Sequence, residues 1–236
     1  MSVEAPPSKS SQVPPPFDPH PFRTRFKALI PLLIVAMVAG GGVALIAGTS
    51  SKQALPGGGK AIKSSTFAGP TFSRPILAPS LGSMHNYNGG PPVSVAADRG
   101  KAVFVTFLYT HCPDVCPLIA SSLHTAMTEL GPRAADVRLI AVSVDPHGDN
   151  PTDVAAFLHE HQLNGQMKYL LGTAAQDAPV WKSWYVGSSQ DVSSPQFVNH
   201  TGVVYGIDAS GHLMTAYQPN FAPSAIVHDV TPLLNS

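Results

Sequence analysis

The 236-residue chain is poor in cysteine: it has two, Cys112 and Cys116, both within "THCPDVCP" (Thr110–Pro117). They could form at most one intrachain disulfide, closing a loop too short to restrict the unfolded chain by much, so a structural staple is disfavoured. Charge is scarce as well. Only 12% of residues are charged, the formal net charge is zero and the pI is about 7.2. The electrostatic footprint of a nucleic-acid-binding protein is therefore missing. No internal repeat is present. The length suits one sizeable domain with appendages.

What the chain does have begins with proline. Residues 1–22 carry seven of the 24 prolines and few bulky apolar side chains. Such a segment cannot bury enough surface to offset its ordering entropy, so residues 1–27 are expected to be disordered. Arg23, Arg25 and Lys27 precede "ALIPLLIVAMVAGGGVALIAG", 21 residues from Ala28 to Gly48 without a charge. As a helix these would span about 32 Å, the thickness of a bilayer core. Pro31 falls in the first turn, where a helix tolerates it. A cleaved signal peptide would have a shorter apolar region and would not follow a 22-residue polar leader. No cysteine follows the segment, so a lipoprotein anchor is excluded. The expectation is a single-pass transmembrane helix over 28–48. The basic cluster is tighter before it, which places the N-terminus inside and the remainder on the extracytoplasmic side of the cell membrane. Residues 49–75, rich in Gly, Ser, Lys and Pro, read as a tether, and 76–236 as the folded domain.

From Ala102 the pattern becomes regular. "AVFVTFLY" and "VRLIAVSV" (Val137–Val144) are nearly continuous apolar runs, as in strands buried on both faces. Between them Ile119, Leu123, Met127 and Leu130 recur at helical spacing, ended by Gly131-Pro132. Asn150 and Pro151 mark the N-cap and first residue of a second helix, with Val154, Phe157, Leu158 and His161 on one face. A strand near Lys168–Leu171 and a helix with Trp181, Trp184 and Tyr185 on one face come next. "GVVYGI" and "HLMTAY" flank "DASG" as a hairpin. Ile226, Val230 and Leu233 define a last helix from Pro223. This order predicts an α/β sandwich with a mixed sheet.

The two cysteines follow the first strong strand and open its helix. Sites in α/β sheets gather at such strand ends, and a helix N-terminus favours thiolate over thiol. Two uses remain open. A thioredoxin-type dithiol usually has two residues between its cysteines, here three. As a metal site, two thiolates are incomplete. Copper suits soft sulfur combined with imidazole, whereas structural zinc wants four protein ligands. Ten histidines are candidates for a third ligand, and spacing does not choose among them. His111 adjoins Cys112, His124 lies along the helix, and His159 and His161 face different directions.

Three blocks taken together, "FLYTHCPDVCP" (107–117), "VSVDPHGDNP" (142–151) and "FVNHTGVVYGID" (197–208), resemble the Sco/SenC family of membrane-anchored copper proteins required for cytochrome c oxidase assembly. The resemblance implies a thioredoxin-like fold with an inserted strand and helix, and a copper ion bound by Cys112, Cys116 and His200. His200 is selected by its block alone. Asp145 matches the family's Asp-Pro block; its simpler reading is a strand-end residue capping the following loop, and the alternative is a supporting role behind the copper ligands. Asp114 has as its simpler reading a favourable interaction with the first helical turn. The family's hairpin before the first core strand is replaced by the Gly- and Pro-rich "LAPSLGSMHNYNGGPPVSVAADRGK" (77–101). The implied function is a copper chaperone for the dinuclear copper centre of cytochrome c oxidase subunit II. The alternative is a thiol–disulfide oxidoreductase, with Cys112 and Cys116 as the redox pair, that reduces this or another exported client and is recharged by a thiol reductant protein.

Overall fold

The computed structural model describes residues 66–190 and 197–236. In chain order the elements are β1 (Thr71–Leu77), β2 (His85–Asn86), β3 (Ala102–Leu108), α1 (Val115–Leu130), β4 (Val137–Ser143), α2 (Pro151–Glu160), β5 (Met167–Leu171), α3 (Ala174–Ser183), β6 (Ser188–Gln190), β7 (Val198–His200), β8 (Val204–Ile207), β9 (His212–Tyr217) and α4 (Pro223–Leu234).

The main sheet has the order β1-β9-β8-β3-β4-β5-β2. β3, β4 and β5 are parallel, and β8, β9, β1 and β2 run antiparallel to their neighbours. Every residue of β3 is buried, because both faces of the sheet are covered. Phe104 points to the face where Leu233 of α4 packs, and α4 packs on α1. Phe107, of opposite parity, meets Trp184 at the end of α3 with ring centroids 5.9 Å apart. The mixed α/β, thioredoxin-like architecture expected from the sequence is thus present. β5 and α3 form the inserted strand and helix.

The first described residues are held to the last helix. Asp229 of α4, fully buried, accepts hydrogen bonds from the Ala68 and Gly69 amides at 2.8 and 3.4 Å and from the Tyr217 hydroxyl, and contacts His228 Nδ1 at 2.6 Å. A side chain at Gly69 would strike Thr215 and Tyr217, so this close approach needs glycine.

Several expectations are corrected. β1 starts at Thr71, inside the expected 49–75 tether. It is an edge strand with mostly exposed side chains, so it lacks the apolar signal of a core strand. Tyr185 does not share a helical face with the tryptophans. It follows the helix in a left-handed conformation (φ 57°) and is 87% exposed. The 77–101 segment forms β2 at the far sheet edge and buries Leu81, Met84, Val93 and Val95. The expected disordered segment 1–27 and transmembrane helix 28–48 lie outside the described residues. Among the described residues no helix is long and apolar enough to cross a membrane.

Candidate metal centre

The site lies at the carboxyl end of β3. The chain leaves the sheet at Leu108 and turns through Tyr109–Asp114 into α1. Cys112 sits in the turn and Cys116 is the second residue of the helix; both are buried and neither is in a disulfide. The Cys116 amide donates to Cys112 Sγ at 3.5 Å, one of the free N–H groups of the helix N-terminus used on sulfur. Asp114 is the N-cap residue, and its side chain makes no capping bond.

The third donor comes from the other side. β7 pairs with β6 as a separate two-stranded ribbon, His200 opposite Ser188. His200 Nε2 lies 3.4 Å from Cys116 Sγ, and its Nδ1 is 3.3 Å from the Thr201 carbonyl. With Nδ1–H donating to that carbonyl, the Nε2 lone pair would be free for a metal ion; in the metal-free pair an Nε2–H would donate to sulfur instead. The Tyr109 ring meets His200 edge-on at 5.6 Å, and the Tyr109 hydroxyl accepts the Val198 N–H at 3.4 Å. At Gly202 a side chain would run into Pro219, so glycine lets the chain after the ribbon pass close to Pro219. One ligand atom each from Cys112, Cys116 and His200 fall within 4.8 Å of one another. The structure therefore brings together the three residues singled out from the sequence.

The thiols are unequal. Hydrogen bonding from the Cys116 thiol, with a smaller share from His200, holds the Cys112 thiol down to about 3 against the opposing effect of burial. Burial pushes the Cys116 thiol up, reinforced by its bond to Cys112. These opposed shifts favour a metal-free pair with one thiolate and one thiol. A metal ion that replaces the proton would meet two thiolates and an imidazole, a set suited to a soft ion with an open coordination sphere.

Asp149 was not singled out from the sequence, and it builds the loop. Its Oδ1 accepts the Thr110 amide at 2.8 Å and the Thr110 hydroxyl at 2.7 Å; its Oδ2 accepts the Ser143 hydroxyl at 2.6 Å and the Tyr169 hydroxyl at 3.0 Å. One carboxylate thus ties the cysteine loop to β4 and β5, while burial pushes its pKa up. The available signal was a second carboxylate in "DPHGDNP", just before an N-cap, Asn150, that already satisfies the helix through the Thr152 and Asp153 amides. Asp145 has the simpler role considered for it: its Oδ1 accepts the Gly148 amide at 2.9 Å, closing the turn after β4. His111 turns outward to Asp153 at 3.6 Å. His161 packs on Phe157 with centroids 4.5 Å apart, and His124 lies along α1. Neither joins the cysteines.

A groove of about 170 Å³ adjoins the His200 ribbon, lined by Asp145, Trp181, Ser188 and Val198 among others. A larger one of about 380 Å³ lies at the other end of the sheet, by Val137 and Arg138.

The family model described as SCO1/SenC matches residues 85–235, which takes in all three donors. The chain belongs to the SCO1/SenC family. Among curated SCO relatives, it is 24% identical to the SCO2-like protein of Rickettsia felis over 135 residues, 55% of this chain and 64% of that one. To the bovine mitochondrial SCO2 homologue it is 29% identical over 124 residues, 50% and 46% of the two. The chain thus spans about half to two thirds of the length of these relatives. Of the solved SCO structures, Bradyrhizobium japonicum ScoI with copper bound is 28% identical, with a TM-score of 0.56 over 67% of this chain and 99% of that one. Apo Sco1 from Thermus thermophilus is 26% identical, with a TM-score of 0.58 over 71% and 96%.

Proposed function

We propose that this SCO1/SenC protein is a membrane-anchored copper chaperone that loads the dinuclear copper centre of cytochrome c oxidase subunit II during assembly. The observation that carries the reading is the convergence of Cys112, Cys116 and His200. The copper-bound relative from Bradyrhizobium supports it. Copper is cargo in this reading. The two sulfurs sit on the core, and His200 arrives on a separate ribbon. An incoming client thiolate or imidazole can displace the imidazole first and the sulfurs afterwards. The apolar segment 28–48 would hold the domain outside the cytoplasmic membrane, within reach of an oxidase subunit exported to the same surface.

Anaerobic copper titration of the reduced full chain tests this. Wild type is expected to take up about one copper per chain, with weaker uptake in His200→Ala. Equal, weak uptake by both would overturn the ligand set. Transfer to the copper domain of subunit II, followed by that domain's absorption, tests the client.

The unequal thiols favour a second reading, a thiol–disulfide reductase. The Cys112 thiolate would attack a client disulfide, and one client sulfur would leave as thiolate. Cys116 would then give up its proton and attack the mixed disulfide, so that the client leaves as a dithiol and Cys112–Cys116 as a disulfide. Return to the dithiol requires two electrons from a thiol reductant protein. This route needs no His200. Client reduction unchanged in His200→Ala while copper transfer is lost would assign both activities to one pair of cysteines.

A further inference from the structure

The largest exposed apolar groups cluster away from the metal centre. Ile76 is 53% exposed, Leu77 63% and Tyr185 87%, and the fourth, Leu118, lies on α1. Ile76 and Tyr185 line one small apolar pocket of about 40 Å³ with Phe72, Pro79 and Leu213. Tyr185 is held there in a left-handed conformation, which a bulky residue rarely adopts. A cluster of this kind marks an interaction surface.

Charge identifies the partner. Four bases of the described residues are engaged: Lys101 with the Ala135 carbonyl, Arg133 with Thr231, and Arg138 and Lys168 with Asp98. The other three, Arg74, Arg99 and Lys182, are exposed and have no hydrogen-bond or ion-pair partner among the described residues, and each neighbours one of these apolar residues in sequence or at Gly211. Arg74 lies between Phe72 and Ile76 on β1, and Lys182 is three residues before Tyr185. Arg99 and Leu77 both reach the edge of Gly211. No carboxylate lines the pocket. The sequence before it has the same bias: from Pro19 to Ala97 there is no Asp or Glu, while Lys52, Lys60, Lys63 and Arg74 follow the apolar segment.

We propose that the β1–Tyr185 patch docks on an anionic lipid surface. Tyr185, Ile76 and Leu77 sit among the headgroups, and Arg74, Arg99 and Lys182 pair with lipid phosphates. Because Ser188, three residues after Tyr185, pairs with His200, docking would also fix how the metal centre faces the membrane. The proposal rests on the anchored reading of 28–48 and is independent of copper.

The test is hydroxyl-radical footprinting of the full chain in nanodiscs, one copy per disc, with neutral phosphatidylcholine or with added phosphatidylglycerol. Tyr185 oxidation, referenced to Leu118, should fall about fivefold or more in the anionic discs, recover in high salt, and stay high in Arg74→Ser/Arg99→Ser/Lys182→Ser. Equal oxidation in both lipids, or protection only when a disc holds two copies, would overturn the proposal; the second outcome would identify another copy of the chain as the occupant. A chain that does not enter discs at all would refute the anchor and this inference together. Incorporation without protection would refute the patch alone.

Discussion

The two arms of the metal centre are held in different ways. The cysteine arm is part of the core: Cys116 is fully buried, Cys112 nearly so, and Asp149 fastens Thr110 to β4 and β5 with four hydrogen bonds. The histidine arm is a ribbon of two three-residue strands outside the main sheet. Among its ties are the Thr201–Gly187 bonds, the Ser188 hydroxyl on the Val144 carbonyl, the Val198 N–H on the Tyr109 hydroxyl and the ring contact between Tyr109 and His200. A site that must retain a metal and then surrender it is served by this inequality. On the proposed chaperone reading, the core arm would keep two sulfurs preorganised and the ribbon would supply the ligand whose departure opens the sphere.

Removing a sulfur breaks the core arm outright. Cys116→Ser is expected to lower copper affinity by at least about a thousandfold, measured by competition with a chelator of known affinity. His200→Ala should cost less, roughly ten- to a hundredfold, and should speed copper release to a competing thiol. If the histidine variant proves as damaging as the serine variant, the arms are equivalent and the comparison fails.

Asp149→Ala tests the support of the core arm. It leaves the Thr110, Ser143 and Tyr169 donors without their acceptor, costing about 2–4 kcal/mol. In a domain of this size that is a fall of roughly 5–15 °C in Tm. Copper affinity should fall with it, and Asp149→Asn should restore part of both.

The proton shared by the thiols gives a prediction with a sign. Hydrogen bonding lowers the Cys112 thiol and burial raises the Cys116 thiol, which predicts one proton on the metal-free pair at neutral pH. Copper loading at pH 7 should therefore release about one proton, and affinity should rise about tenfold per pH unit through the neutral range. Calorimetry in buffers of different ionisation enthalpy would measure this. Two protons released would mean that Cys112 is not depressed. The smallest effect is expected for Thr201→Val, which removes the Thr201 Oγ1 acceptor for the Gly187 amide at the edge of the ribbon. A change in affinity of about threefold or less, with little change in Tm, is expected.

The same inequality governs what could be read from the chain itself. The cysteine arm is local: two thiols four apart, after an apolar β-branched run and before a helical period, place the site by spacing alone. β3, α1, β4 and α2 were legible for the same reason, since their apolar periods reflect burial. His200 lies 84 residues from Cys116, and its polar ribbon has no apolar period, so only its resemblance block found it. Asp149 stayed hidden because its partners come from three separate segments. β1 stayed hidden because an exposed edge strand carries the composition of a linker.

The clasp at Asp229 adds a mechanical consequence. A pull on the preceding chain would meet Phe67, which packs on the core, and then Ala68 and Gly69, held by a carboxylate on α4, before β1 lying along β9. That edge is separated from β3 by β9 and β8. A pull arriving there would load two routes at once: the β1 margin, two strands away from β3, and α4, which packs directly on α1, the helix that carries Cys116.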